Sequence, residues 1–332
     1  MRQLTKAFLV FLGALTLHAP AMAQRPDEMA SLPVGELRAL AERGNMSAQL
    51  TLGVRYANGD GVARDGAEAV RWYSLAADQG DLSAQLHLGL LYRMGAGVPE
   101  NAAEAVRWYR RAADQGDAYA QYILGVMYGH GDGVPESDAE AVRWYRLAAD
   151  QGYAIAQYNL GVMYATGDGV SLDGAEAVRW FRMAADQGLA LAQLDLGVMY
   201  ANGEGVPENR AEAARWFRMA ADQGEASAQF NLGNMYAEGL GVPENDAEAA
   251  RWFRMAADQG YASAQFNLGV MYAYGEGVPK NDVEAYKWFN LAAAQGDALA
   301  RDQREAVAEF MTQTQISEAQ RLSAQWRPKP AN

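Results

Sequence analysis

The sequence predicts an all-α fold, a solenoid of seven stacked 36-residue helix pairs closed at each end by capping helices. Trp72, Trp108, Trp144, Trp180, Trp216, Trp252 and Trp288 follow one another at intervals of 36 residues without a slip. Gly80, Gly116, Gly152, Gly188, Gly224, Gly260 and Gly296 keep the same interval. Between these marks, each unit holds two stretches of helical periodicity separated by a glycine-rich turn. A fixed period of this size belongs to stacked supersecondary units, each of which needs a neighbour to cover its apolar face.

Taken in chain order, residues 1–23 have the three parts of a secretory signal. Arg2 and Lys6 form a positive start, Ala7 to Leu17 an apolar stretch, and Ala21-Met22-Ala23 the small residues a signal peptidase reads. Cleavage is expected after Ala23, leaving Gln24 first. The apolar stretch falls short of the roughly 20 residues a membrane-spanning helix needs. With no cysteine in the chain, lipid attachment at the cut is excluded. In a bacterium with two membranes the mature protein is expected in the periplasm or outside the cell. Residues 24–46 then make an N-terminal cap, in which Glu36 to Gly44 reads as the second half of an eighth unit.

The repeats occupy residues 47–296. In the second, the first helix carries Ala84, Leu88 and Tyr92 on one face. Gly95 and Gly97 break it, and Pro99 prevents its resumption. The second helix opens at Asn101, with Glu104 three residues on, the pattern of a capping box. Asp65/Glu68, Ser137/Glu140, Asp173/Glu176, Asn209/Glu212, Asn245/Glu248 and Asn281/Glu284 repeat it. Each cap should contribute about 1 kcal/mol. The second helix buries Ala105, Trp108, Tyr109 and Ala112 and turns Arg107, Arg110 and Asp114 to water. Gly116 ends it, where a positive φ is needed. The spacing of Arg110/Asp114, Arg146/Asp150, Arg182/Asp186, Arg218/Asp222 and Arg254/Asp258 predicts solvated i, i+4 ion pairs.

After Gly296 the pattern thins. Residues 297–327 are expected to cap the C-terminal end with two helices, and 328–332 to form a tail. Asp297 to Glu309 continues as a first-type helix. Thr312 and Gln315 make a further capping box, opening a helix that carries Ile316, Ala319, Leu322 and Trp326.

The chain holds 41 acidic against 28 basic residues, a formal charge of −13. Such a surface repels phosphate backbones and anionic lipid, which argues against nucleic-acid partners and stable membrane insertion. The absence of cysteine removes disulfides, thiolate metal sites and a cysteine nucleophile. Beyond residue 23 only His87 and His130 remain as histidines, at no motif spacing, and they read as surface helix residues. No Gly-x-Ser-x-Gly or Ser-x-x-Lys occurs. None of the glycine turns runs into Gly-Lys-Ser/Thr, so none cradles phosphate. Gly59-Asp60-Gly61 and its equivalents hint at calcium, but Val62 falls where a ligand should stand and Leu240 replaces the acid in the sixth repeat. Carboxylates are plentiful, yet a glycosidase pair should be unique, and nearly every acid here has a repeat equivalent. No enzyme activity, cofactor or metal is expected.

The run Ala-Gln-x-x-Leu-Gly-x-x-Tyr, Gly-x-Gly-Val, Ala-x-x-Trp-Tyr/Phe and Ala-Ala-x-Gln-Gly resembles the Sel1-like repeat, a relative of the tetratricopeptide repeat. The match runs from Ser47 to Gly296 in seven copies. The resemblance implies a right-handed superhelix with the first helices lining the concave side. It also implies an adaptor or scaffold role, in bacteria often in the envelope or in host contact. Cysteine-rich relatives have been associated with β-lactam binding or hydrolysis. This chain lacks their cysteines, which weakens that reading, and a hydrolase of β-lactams or cell-wall peptides stands as the alternative.

Packing demands that core positions repeat, whereas positions that vary are released from that demand. Opposite the face of Ala48, Leu52 and Tyr56 lie residues 47, 50, 54 and 58 and their equivalents, which vary. A concave stripe of Tyr119, Tyr122, His130, Tyr158, Phe230, Asn234, Glu238, Phe266 and Tyr274 is therefore expected to hold an extended peptide or a partner helix, from an envelope or peptidoglycan-related protein. The plainer alternative is that the rings at the level of residue 50 only pack between neighbouring helices.

Overall fold

A computed structural model describes residues 28–329, which are helical throughout with no strand among them. The expected signal segment lies outside the described residues. The chain divides after Leu172 into two compact units. The first contains α1 (Glu28–Ser31), α2 (Val34–Glu42), α3 (Met46–Asn58), α4 (Gly66–Asp78), α5 (Leu82–Met94), α6 (Ala102–Asp114), α7 (Ala118–His130), α8 (Asp138–Asp150) and α9 (Ala154–Thr166). The second contains α10 (Gly174–Asp186), α11 (Ala190–Asn202), α12 (Arg210–Asp222), α13 (Ala226–Glu238), α14 (Asp246–Asp258), α15 (Ala262–Tyr274), α16 (Asp282–Ala294), α17 (Ala298–Ala308) and α18 (Gln313–Gln325). Both are built of paired helices, the α-solenoid architecture that the period predicts. The division falls inside the fourth repeat.

The seven tryptophans are all buried, none exposing more than 6 % of its surface. Trp108 enters the core of the first repeat, beside Leu52, Tyr73 and Leu88. Trp288 likewise joins the core formed by Phe253, Leu268 and Met271. Each indole also lies under the neighbouring base on its own helix, with the Arg179 guanidinium 4.1 Å and the Lys287 ammonium 4.3 Å from the ring centres.

Within a pair, a glycine makes room for a ring. Gly125 sits in the middle of α7, where it costs helix stability relative to alanine. A Cβ there would stand 2.5 Å from the Tyr145 ring of α8. The same holds for Gly53 under Tyr73, Gly89 under Tyr109, and, in the second unit, Gly197, Gly233 and Gly269 under Phe217, Phe253 and Phe289. Between pairs, Gly133 at φ +70° brings its backbone onto the start of α6, where a Cβ would meet the Ala102 carbonyl carbon at 2.3 Å.

Buried glutamines link successive pairs. Gln121 donates its Nε2 to the Ala113 carbonyl of the preceding helix, 3.2 Å away. Its Oε1 accepts from Gln151 at 2.7 Å. Gln49 and Gln85 in the first unit and Gln193, Gln229 and Gln265 in the second make the same pair of bonds, each to its own equivalents. The glutamines of Ala-Gln and Gln-Gly thus close a relay in these six repeats.

Two local expectations are corrected. At the second helices only half of each capping box forms. Asn101 accepts from the Glu104 N–H at 3.1 Å, but its own N–H is already given to the Tyr92 carbonyl at 2.8 Å. The glutamate is therefore released to pair forward: Glu68 accepts from Arg71 and from the Trp72 indole at 3.1 Å. Among the described residues the complete box forms only at Thr312/Gln315, where nothing competes for the Thr312 N–H. Nor do the i, i+4 arginine–aspartate pairs form. Arg110 donates to the Tyr128 hydroxyl of the following repeat, and Arg146, Arg218 and Arg254 donate to Tyr164, Tyr236 and Tyr272. A tyrosine beneath the guanidinium offers an acceptor and a ring face together.

At the N-terminal end α2 buries Leu37 and Ala41, and Arg38 donates to Tyr56 in the same fashion as the later arginines. Arg55 gives two hydrogen bonds to the Ala30 and Leu32 carbonyls. At the other end Lys329 binds Asp258 through both its N–H and its ammonium.

Replacing Gly125 by alanine should lower stability by about 1–3 kcal/mol, the cost of an overpacked core. Gly35, with open space around it, should accept alanine without loss. Thermal unfolding followed by circular dichroism compares the two. Gln121→Leu should cost about 1–3 kcal/mol, because it takes from the Ala113 carbonyl one of its two donors, leaving the Gly116 N–H, and removes the Gln121 acceptor of Gln151. Amide exchange should show the loss at the end of α6.

Candidate binding face

The expected groove residues fall in both units. In the first, Tyr122 and Tyr158 project from α7 and α9 but are buried, exposing 8 % and 6 %. The Tyr122 ring lies 6.1 Å from that of Tyr145 and 5.4 Å from that of Tyr153. Tyr119 is exposed at the start of α7 and His130 at its end, where its Nδ1 lies 2.8 Å from the Val126 carbonyl. His87, the other histidine, stacks on Tyr73 with ring centres 4.9 Å apart.

Burial sets the ionisation of this tyrosine group. It pushes the Tyr122 phenol up to about 12, with Tyr153 and Tyr119 adding to the effect and Arg93 opposing it. Tyr119 and Tyr153 are raised for the same first reason, and Tyr109 and Tyr145 more strongly. Asp117, which caps α7 by accepting from the Ala120 N–H at 2.7 Å, is also raised by burial. Asp117 and Tyr153 line a pocket of about 470 Å³ at the short turns around Gly116 and Gly152. Neither was among the expected residues. The position directly after each helix-ending glycine does vary, through Asp81, Asp117, Tyr153, Leu189, Glu225, Tyr261 and Asp297, and that was the available signal.

In the second unit Phe230 is half-buried, its ring 5.9 Å from Phe253 and 5.2 Å from Tyr261. Phe266 meets Phe289 at 5.7 Å. Asn234 accepts from Asn267 Nδ2 at 3.1 Å, a pairing of neighbouring first helices. Glu238 and Tyr274, at the ends of α13 and α15, stand in solvent, Tyr274 with 67 % of its surface open. A second pocket, of about 330 Å³, lies between α11, α12 and α13 and includes Asn234 in its lining.

In each unit the first helices thus show two layers. Rings at the level of residue 50 sit against the partner helix of their own pair. Residues two helical turns beyond, Asn58, Met94, His130, Thr166, Asn202, Glu238 and Tyr274, are exposed in every repeat. Among the described residues no group of three or more His, Cys, Asp or Glu side chains is placed to hold a metal ion, and no helix is long and apolar enough to cross a membrane.

Comparison with known proteins adds the lineage of the repeat. The family profile described as Sel1 repeat matches residues 47–81, 82–117, 118–153, 154–189, 190–225, 226–261 and 262–297. A crystal structure of a Sel1 repeat protein from Oxalobacter formigenes is 38 % identical, with a TM-score of 0.71, covering 86 % of this chain and 83 % of that one. A protective antigen present in uropathogenic Escherichia coli strains, displaying an SLR fold, is 35 % identical with a TM-score of 0.59, covering 90 % of this chain and 72 % of that one. Among curated proteins no relative matches.

Burial that raises a phenol means that the folded chain holds the proton more tightly than the unfolded chain does. Stability is therefore complete below the ordinary tyrosine value of about 10 and falls as pH climbs through the folded-state values. The Tyr109 hydroxyl is buried without a partner. Tyr109→Phe should raise stability at neutral pH by about 1 kcal/mol. It should also lessen the fall in melting temperature between pH 9.5 and 11.5, read by circular dichroism.

Proposed function

Since the chain belongs to the Sel1 repeat family, a typically non-enzymatic scaffold fold that commonly mediates protein interactions, we propose that it is a non-catalytic scaffold whose first-helix face takes an extended peptide or a partner helix. The observation that carries this reading is the contrast within one period. Tryptophan, the ring-bearing glycine and the relay glutamine keep their identity because neighbours bury them, whereas the exposed last residue of the first helix changes along the chain. A surface freed from packing and rich in large side chains is suited to anchoring a partner.

The leader-like residues 1–23 support an exported protein, periplasmic or secreted, and the likeness to a protective antigen is consistent with export. The formal charge of −13 makes a neutral or basic protein surface a better match than nucleic acid. A role in envelope assembly, maintenance or signalling follows from that location.

Selection of random peptides displayed on phage against the purified chain tests the reading. Specific peptides should be enriched. Their binding should fall about tenfold with Tyr274→Ala and Glu238→Ala together, substitutions at exposed positions that leave the melting temperature unchanged. Failure to enrich any peptide, or binding indifferent to both substitutions and to His130→Ala, would refute it.

A further inference from the structure

The internal repetition supplies a standard against which each side chain can be judged, and three departures from it meet in one place. At the level of residue 54 six repeats carry Val54, Leu90, Val126, Val162, Val198 and Val270, but the sixth carries Asn234. Six residues on, where five repeats carry Asp60, Asp132, Asp168, Glu204 and Glu276 and the second carries Ala96, that repeat carries Leu240. At the first residue of the second helix the fifth repeat carries Arg210, the one base among Gly66, Ala102, Asp138, Gly174, Asp246 and Asp282. Arg210, Asn234 and Leu240 all line the 330 Å³ pocket between α11, α12 and α13.

Fold requirements do not explain these residues, since other repeats fold with valine, acid and glycine in their places. Chemistry does. Asn202, Asn231 and Asn234 bring three carboxamides to the pocket wall, each able to donate and to accept as a peptide unit does. Asn234 uses its oxygen for Asn267, and Asn202 uses its nitrogen for Glu204 at 2.9 Å. Arg210 gives its Nε–H to Glu208 at 2.8 Å, which fixes the guanidinium by one edge. Its η nitrogens then form a fork matched to a second carboxylate. Phe217 and Leu240 provide apolar wall beside these polar groups.

We propose that this pocket is a subsite for a peptide carboxylate, held by Arg210, with the adjoining peptide units hydrogen-bonded to Asn231 and Asn234 and an apolar side chain resting on Leu240 and Phe217. The proposal rests on the reading of the first-helix face as a peptide-binding surface and gives that surface an anchor. The carboxylate can come from a chain terminus or from an Asp or Glu side chain, and both satisfy the same fork.

Three synthetic probes decide the matter by heteronuclear NMR titration of the full chain. They are acetyl-Ala-Ala-Leu with a free carboxylate, the same peptide as its amide, and acetyl-Ala-Glu-Leu-Ala amide. The first or the third should saturate at millimolar concentration and shift the side-chain amide signals of Asn231 and Asn234. The plain amide should bind about tenfold more weakly, as expected on losing a charge-assisted hydrogen bond. Binding by the first alone assigns a chain terminus, and binding by the third alone an acidic side chain. Asn234→Val and Arg210→Asp restore residues that other repeats carry, so both variants should fold with an unchanged melting temperature. Each should weaken the carboxylate probe by about tenfold. Equal binding of all three probes, absence of binding, or indifference to both variants overturns the subsite. Should displayed peptides still require Tyr274 and Glu238 while ignoring Arg210 and Asn234, the face stands and the subsite alone falls.

Discussion

Register between neighbouring pairs depends on one buried amide. Gln121 reaches back to the Ala113 carbonyl and accepts from Gln151, so a single side chain satisfies a group in the preceding pair and one in its own. Buried at 5 %, it has no water to fall back on, and sliding one pair past the next would break its bond to Ala113, while the bond from Gln151 holds the amide in place within its own pair. Apolar contacts alone do not impose this. Alanine against alanine tolerates small shifts, whereas a hydrogen bond loses strength within a few tenths of an ångström. Within each unit the relay gives successive pairs the same register.

Inside a pair the corresponding constraint is steric. A glycine in α7 gives up helix propensity so that the Tyr145 ring can lie on the backbone. The slot accepts either Tyr or Phe, and the two units use it differently. The first unit carries Tyr73, Tyr109 and Tyr145, and the second Phe181, Phe217, Phe253 and Phe289. A phenol at this depth must remain protonated and is costly where its hydroxyl lacks a partner, as at Tyr109. The first unit is therefore expected to lose stability at alkaline pH before the second.

The helices, their breaks and the buried indoles were legible in the sequence because they depend on residues near in the chain: a cap and its first turn, a glycine and the helix it ends, a face repeating every three or four residues. What escaped depends on partners farther off. Arg110 and Asp114 have the spacing of an ion pair, yet Arg110 bonds Tyr128, eighteen residues on and in the next repeat. The glutamines were visible as a motif, but their partners lie 8 and 30 residues away. The glutamates following the caps were assigned to the cap N–H, which the preceding loop had already taken for a tyrosine carbonyl. Of the groove residues, Glu238 and Tyr274 stand open and Tyr122 and Tyr158 are buried, because variation along the chain does not tell a ring that packs from a ring that protrudes.

Variation therefore carries functional meaning only when joined to location. The level of residue 50 alternates between Leu, Tyr and Phe, and every one of these can fill apolar space, so its changes are permitted by packing alone. Asn234 is different in kind: a carboxamide where six repeats place an aliphatic side chain, half-buried and engaged with Asn267. Polar atoms at such depth lower stability unless bonded, and nothing in the repeat requires one there. Leu240 reverses the sense, placing an apolar side chain where the other repeats, apart from Ala96, keep an acid, and Arg210 reverses the sign of charge within the same pocket. One such departure in a chain of seven copies is drift. Three that differ in polarity, hydrophobicity and charge, drawn from two repeats and meeting around one cavity, have a common cause in whatever that cavity holds.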